Sequence, residues 1–440
     1  MVTVVKSTTV GVETVLTYVG KSTDEKPIST NGSKFEEMDT GKEYFFDGDE
    51  QGWSLQSDKY LDSIAIETPP TKTSYYVGDK FDASGAVVKA FYTDRSNANV
   101  ENFTVDAPET LNMDSIVNLV YVENGRTRKA QVAIEIKSNE ATDAESFIDI
   151  MTQGSAIVLG ADIEVEQRFN LSHDFIMDLN GHSLVNNMET TEKMDYVFTV
   201  DGCKLTLKGE GELSATMPKI RIANAINGGE IIIESGTYAS NVDIGFTATG
   251  EDSKVIFNGG EIYAVEGGIM AFSGATLELN NGKIIVTDNF PIGTNGSSGQ
   301  GNNTIIVNGG YYEGHITSPK FEAIGVYIAN NDTFIMNGGE IKAYNGAGIL
   351  MRGGNVTLNN GKITATGVEG GGGFIGDQKT KMSQSAIIYD EKSKYPGSKG
   401  MNLTINGGVY VGFDKSLDVQ STEETPKITI NGGAFIPTIG

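Results

Sequence analysis

From Asn258 onward the chain runs in short bursts of alternating apolar and polar residues, each ending in the same corner. The bursts are VIFNGGEI, LELNNGKI, IIVNGGYY, FIMNGGEI, VTLNNGKI, LTINGGVY and ITINGGAF. Apolar residues stand one and three positions before each asparagine: Val255 and Phe257, Leu277 and Leu279, Ile305 and Val307, Phe334 and Met336, Val356 and Leu358, Leu403 and Ile405, Ile428 and Ile430. A period of two is the signature of a strand with one face turned inward. Glycine then follows, where positive φ costs little and the chain can turn sharply. The next strand restarts four residues past each asparagine with Ile262, Ile284, Tyr312, Ile341, Ile363, Tyr410 and Phe435, again predicted inward. The corner asparagines Asn258, Asn280, Asn308, Asn337, Asn359, Asn406 and Asn431 are spaced by 22, 28, 29, 22, 47 and 25 residues. Such periods are those of a solenoid with one copy per coil, and 47 suits either two coils or one coil with an insertion. In register, the corner side chains are expected to form a hydrogen-bonded amide ladder. Glu261 with Lys283, and Glu340 with Lys362, are placed to pair across coils.

Upstream, GSAIVLGADIEVEQRFNLSHDFIMDLNGHSL (Gly154 to Leu184) reads as the opening coils. With the corner repeats, it resembles right-handed parallel β-helix proteins of the pectate-lyase-like class, over residues 139–440. The preceding TDAESFIDIMTQG predicts a short amphipathic helix that covers the open end of the solenoid, with Thr142 and Glu145 at capping-box spacing. Residues 58–138 differ in character. LDSIAIETPPTKTSYYVGDKFDASGAVVKAFYTDRS (Leu61 to Ser96) resembles the bacterial immunoglobulin-like domain, and VNLVYVENGRTRKAQVAIEI (Val117 to Ile136) supplies a hairpin that turns at Glu123, Asn124 and Gly125. Residues 1–57 hold NGSKFEEMDTGKEYFFDGDEQGW (Asn31 to Trp53), similar to a short segment of phage and prophage structural proteins. That resemblance implies a small β-rich segment that docks on a virion, with Phe35, Tyr44, Phe45, Phe46 and Trp53 as the anchors. The expected fold class is therefore all-β.

Composition narrows the function. Lys and Arg number 33 against 58 Asp and Glu, a net charge of −25 that repels nucleic acid and anionic membrane surfaces. Glycine, at 55 residues against 10 prolines, marks dense turns rather than a loose linker. Cys203 is the only cysteine, which excludes an intrachain disulfide. Neither a secretory signal nor a run of apolar residues long enough for a membrane span is visible, as suits a phage protein assembled in the bacterial host cytoplasm and carried on the virion surface.

Chemistry is sparse. No cofactor or metal is expected: His173, His182 and His315 lack metal-ligand spacing. Asp243, Glu278, Asp288, Glu313 and Asp332 are scattered singly, as on a solvated face, and no enzyme activity is expected beyond what fold analogy with polysaccharide lyases and hydrolases suggests. Tyr238, Tyr263, Tyr311 and Tyr344 are candidate platforms for stacking on sugars, and Arg352 a candidate base or sugar contact. The glycine-rich insertion Gly367 to Gly400 is a second candidate site. The resulting expectation is a phage virion surface protein, a head fibre or capsid-decorating protein. Its partners would be capsid or tail proteins and cell-surface or mucin glycans, and it could form a homo-oligomer. A tail spike with depolymerase activity and a bacterial surface adhesin are the alternatives.

Overall fold

The computed structural model describes residues 1–10, 13–56, 59–241, 243–315, 323–369, 371, 382–395 and 397–438. The chain divides into two compact units, Met1–Lys137 and Ser138–Gly440.

The second unit is a parallel β-solenoid whose coils each contribute three strands. The third strands stack into one 11-stranded parallel sheet, from Ile163–Val165 to Ala434–Pro437. The first and second strands join across a corner into a continuous 20-stranded sheet, and Ile324–Met336 and Ala347–Leu358 run through both walls without a break. The alternating apolar columns fill the interior. Phe257, Leu277, Leu279, Ile305, Val307, Phe334, Leu358 and Ile405 have no exposed surface, and the same holds for Ile262, Ile284, Tyr312, Ile341 and Ile363. Each such side chain contributes about 1.5–3 kcal/mol through burial. The last copy departs from the expectation: Ile430 is 51% and Phe435 36% exposed, and among the described residues this coil has a neighbour on one side only.

The corners form the ladder. The amide of Asn280 donates to Asn258 Oδ1 at 2.9 Å, Asn308 to Asn280 at 2.7 Å, and Asn337 to Asn308, Asn359 to Asn337, Asn406 to Asn359 and Asn431 to Asn406 each at 2.8 Å. Asn406 reaching Asn359 directly shows that the 47-residue interval is one coil with an insertion. Beside the ladder, Lys283 lies 3.3 Å from Glu261 and Lys362 2.8 Å from Glu340. The glycines earn their place where the coils touch: Gly282 has φ +94°, and a Cβ there would sit 2.4 Å from the Phe257 ring.

The helix Ala144–Gln153 buries Phe147, Ile150 and Met151, and the Phe147 ring meets Phe169 edge-on at 5.4 Å. Its cap is one residue later than the spacing suggested. Asp143 accepts from the Ser146 amide at 2.8 Å, and Ser146 Oγ accepts from the Asp143 amide at 3.2 Å, a reciprocal pair that replaces Thr142 and Glu145. A serine hydroxyl reaches back as well as a longer carboxylate does.

In the first unit, Thr3–Val10, Glu13–Gly20, Lys34–Glu37, Glu43–Asp47 and Gly52–Leu55 form a five-stranded sheet in that order, antiparallel except between the second and third strands. Residues 61–137 form two three-stranded sheets and a short parallel pair around a core of Leu61, Tyr75, Val88, Ala90, Leu111, Val117 and Leu119. The expected hairpin is present: Asn118–Glu123 pairs with Arg126–Gln131, and Asn124 and Gly125 both take positive φ, at 50° and 79°.

Candidate functional site

Residues three and five places past a corner asparagine lie on the third strands, and the residue seven places past lies just beyond the strand end; their side chains share the outer face, since the residues between them point inward. In consecutive coils this brings together Glu261 and Tyr263, then Lys283, then Tyr311, Glu313 and His315, then Glu340, Lys342 and Tyr344. Register confirms the neighbours: Glu261, Lys283, Tyr311 and Glu340 follow one another across the sheet, as do Tyr263, Ile285, Glu313 and Lys342. Three of the four candidate tyrosines therefore share one wall.

Their hydroxyls are tethered. Tyr263 bonds Glu261, and Lys283 donates to the Tyr263 hydroxyl at 3.2 Å. Tyr311 bonds Glu313, which also meets His315, and Lys342 donates to Tyr344. These contacts fix charge. The Tyr263 hydroxyl and Lys283 hold Glu261 below the usual carboxylate range, while burial and the Glu313 contact push the Tyr311 phenol up. The rings differ in availability: Tyr263 is 36% exposed and Tyr311 half-buried, but the His315 imidazole stacks on Tyr344 at 4.2 Å and 11°, and Lys342 Nζ lies 4.1 Å from the same ring's centre. Lys283 Nζ in turn lies 5.4 Å from the centre of the Tyr263 ring, so Tyr263 and Tyr311 are platforms that a ligand would share with Lys283, with Tyr344 as part of their frame. Glu313, His315 and Lys342 were missed as site residues in the sequence, although the same count from each corner asparagine would have placed them on this wall.

Two candidates lie elsewhere. Tyr238 is a core residue with no exposed surface, its hydroxyl bonded to Ser235 O at 2.6 Å and its ring edge-on to Phe246. It stands at the inward column, where Tyr312 likewise bonds Gly309 O at 2.6 Å, and it cannot stack on a sugar. Arg352 is also buried, on the first wall, with Nε 3.2 Å from Asp390 Oδ2 and its guanidinium near the Tyr395 ring. Both ends of that pair are inaccessible to a ligand.

Nor are the scattered acids all solvated. Asp243 pairs with Arg221 at 2.9 Å in a buried position. Asp332 has no exposed surface; Asn303 donates twice to its Oδ1 at 2.9 Å, Oδ2 has no hydrogen-bond partner, and burial pushes the carboxyl up to about 6. Among the described residues no group of three His, Cys, Asp or Glu converges to hold a metal, and no helix is long and apolar enough to cross a membrane. Much of the insertion Gly367 to Gly400 (residues 370, 372–381 and 396) lies outside the described residues.

The aromatic anchors expected in the first unit are largely its own core. Phe35 has no exposed surface and Phe46 is 2% exposed; with Tyr18 they surround Trp53, ring centres 5.4–5.7 Å apart, and Trp53 Nε1 donates to Pro27 O at 2.7 Å. Tyr44 is half-buried beneath Lys26. Only Phe45, at 40%, is notably exposed among the five. An aromatic run in a short segment is first needed for the segment to fold at all.

No curated protein matches the chain. Residues 68–116 match the bacterial Ig-like domain (group 3), which spans the strands Ser74–Tyr76 through Thr104–Asp106, so the chain joins an Ig-like domain to a parallel β-solenoid.

Proposed function

We propose that this chain is a phage virion surface protein, a head fibre or capsid-decorating protein, whose solenoid adheres to host or environmental glycans. The observation that carries the adhesive part is the shared outer wall on which Tyr311 stands beside Glu313, His315 and Lys342, with Tyr263 two coils away beside Lys283. Ring faces for stacking and polar groups for hydroxyls meet there on a rigid sheet, the combination a sugar site needs. Weak contacts of this kind gain strength when many copies are displayed on one particle. The phage setting is supported by the resemblance of Asn31 to Trp53 to phage structural segments.

Two experiments test the reading. Immunogold labelling of purified particles from a host carrying the gene should decorate heads; labelled tails would favour the tail-spike alternative, and unlabelled particles would remove the phage setting. A multivalent form on a glycan array should give signals that fall when Tyr263 and Tyr311 are replaced by alanine. A blank array would remove the adhesive role, and new reducing ends on incubation with capsular polysaccharide would replace binding by cleavage.

A further inference from the structure

In a chain with 25 more acids than bases, every guanidinium should find a carboxylate, and four of the six arginines do. Arg126 meets Asp47 at 3.3 Å and Glu50 at 3.2 Å, Arg168 meets Asp195, Arg221 meets Asp243, and Arg352 meets Asp390. Among the described residues the exceptions are Arg95 and Arg128. Arg95 is exposed, with its backbone in the left-handed region at φ 68°, and Arg128 donates only to the carbonyls of Asp62 and Thr127. Both line one cleft of about 900 Å³ in the first unit, between the five-stranded sheet and the Ig-like domain.

The acids of that cleft do not answer them. Asp47 is taken by the amides of Asp49 and Glu50 and by Arg126, and Asp94 by the amide and hydroxyl of Ser96, which hold its carboxyl below the usual range. Asp49 and Asp62 also line the cleft and form no ion pair among the described residues. The same cleft is bordered by Ser54 and Leu55 of the strand Gly52–Leu55, the last of its sheet, which among the described residues pairs on one side only, with Glu43–Asp47. A free strand edge presents unpaired amides and carbonyls ready to accept another strand.

We propose that this cleft takes an extended, carboxylate-bearing strand of a partner protein, which adds to the open edge of Gly52–Leu55 and sets two acidic side chains on Arg95 and Arg128. Backbone pairing supplies affinity and alternate side chains supply specificity in this mode. A four-residue edge accommodates about four partner residues, of which alternate ones, two in number, share the face turned to the arginines. The inference rests on the reading of the first unit as the attachment end, and moves the attachment surface from the buried aromatics to this cleft.

The probe is a synthetic peptide, acetyl-VTEVEVT-amide, titrated into the full chain. Trp53, the only tryptophan, lies on the edge strand and reports binding through its emission. The peptide should bind saturably; its glutamine counterpart should bind at least roughly 10-fold more weakly, and N-methylation of the edge-facing amides should remove binding. Arg95→Gln, at an exposed side chain without an ion pair, should weaken the glutamate peptide by roughly 10-fold and leave thermal unfolding unchanged. Equal affinity for the two peptides, no binding, indifference to N-methylation, or full displacement by inorganic phosphate would each overturn the proposal. Particles that still carry the protein while the peptide fails to bind would leave the attachment reading standing without this cleft.

Discussion

Replacing Asp332 by asparagine should change how the solenoid's stability depends on pH. The carboxyl has no exposed surface, keeps one oxygen without a hydrogen-bond partner, and is pushed from 3.8 up to about 6. Because the unfolded chain gives up this proton first, the group favours the folded state at low pH, and that support is lost as pH rises from about 4 to 6. A displacement of about two pH units corresponds to about 3 kcal/mol in full, of which roughly 2 falls between pH 4 and pH 7. The asparagine variant keeps the acceptor for both Asn303 bonds and has no proton to lose. Urea unfolding followed by far-ultraviolet circular dichroism at the two pH values gives the variant's stability relative to the parent at each. The difference between those two figures should be about 2 kcal/mol, the variant gaining at pH 7. Comparison across pH cancels any constant cost of burying an amide and the titration of the other carboxylates, which both proteins share. A pH-independent difference, within about 0.5 kcal/mol, or a gain at the acid end would refute the reasoning.

Asn308→Leu removes both ladder bonds of an interior rung and should cost about 1–2 kcal/mol in the same assay, against about half that for Asn431→Leu, which loses only its bond to Asn406; equal costs would mean that the ladder does not act between coils. Phe46→Ala in the first unit should cost about 3–5 kcal/mol and shift Trp53 emission to the red, because it opens the ring cluster; an unshifted spectrum would contradict the packing. Tyr238→Phe should lose about 1 kcal/mol of stability and no glycan binding, whereas Tyr263→Ala or Tyr311→Ala should each weaken glycan binding roughly 2- to 10-fold, read by biolayer interferometry on a ligand found on the array.

What the sequence revealed and what it concealed follow from how local each cause is. The coil interior was legible because its cause is repeated in every copy: an apolar pair, an asparagine, a glycine at positive φ. The ladder followed from the same register, down to its partners. Tyr238 and Arg352 were misread because a single tyrosine or arginine carries no period of its own. Tyr238 stands at the inward column that Ile262 occupies one coil later. Arg352 is answered by Asp390, 38 residues on in sequence but in the adjacent coil. The docking aromatics show the same limit: Phe35 and Trp53 are brought together by strand pairing, and nothing in the run itself separates an anchor from a core. The helix cap missed by one residue for a smaller reason, since Asp143 and Ser146 compete with Thr142 and Glu145 for one role.

The link from Asn359 to Asn406 has a consequence for how such a protein can change. The stack registers turns and is indifferent to the number of residues spent between them. A segment can therefore lengthen, shrink or be exchanged at this junction while the amides on either side still clasp, so new surface can be tried without renegotiating the scaffold. For an engineer, the same junction is a place to graft a foreign loop and expect the neighbouring turns to keep their alignment.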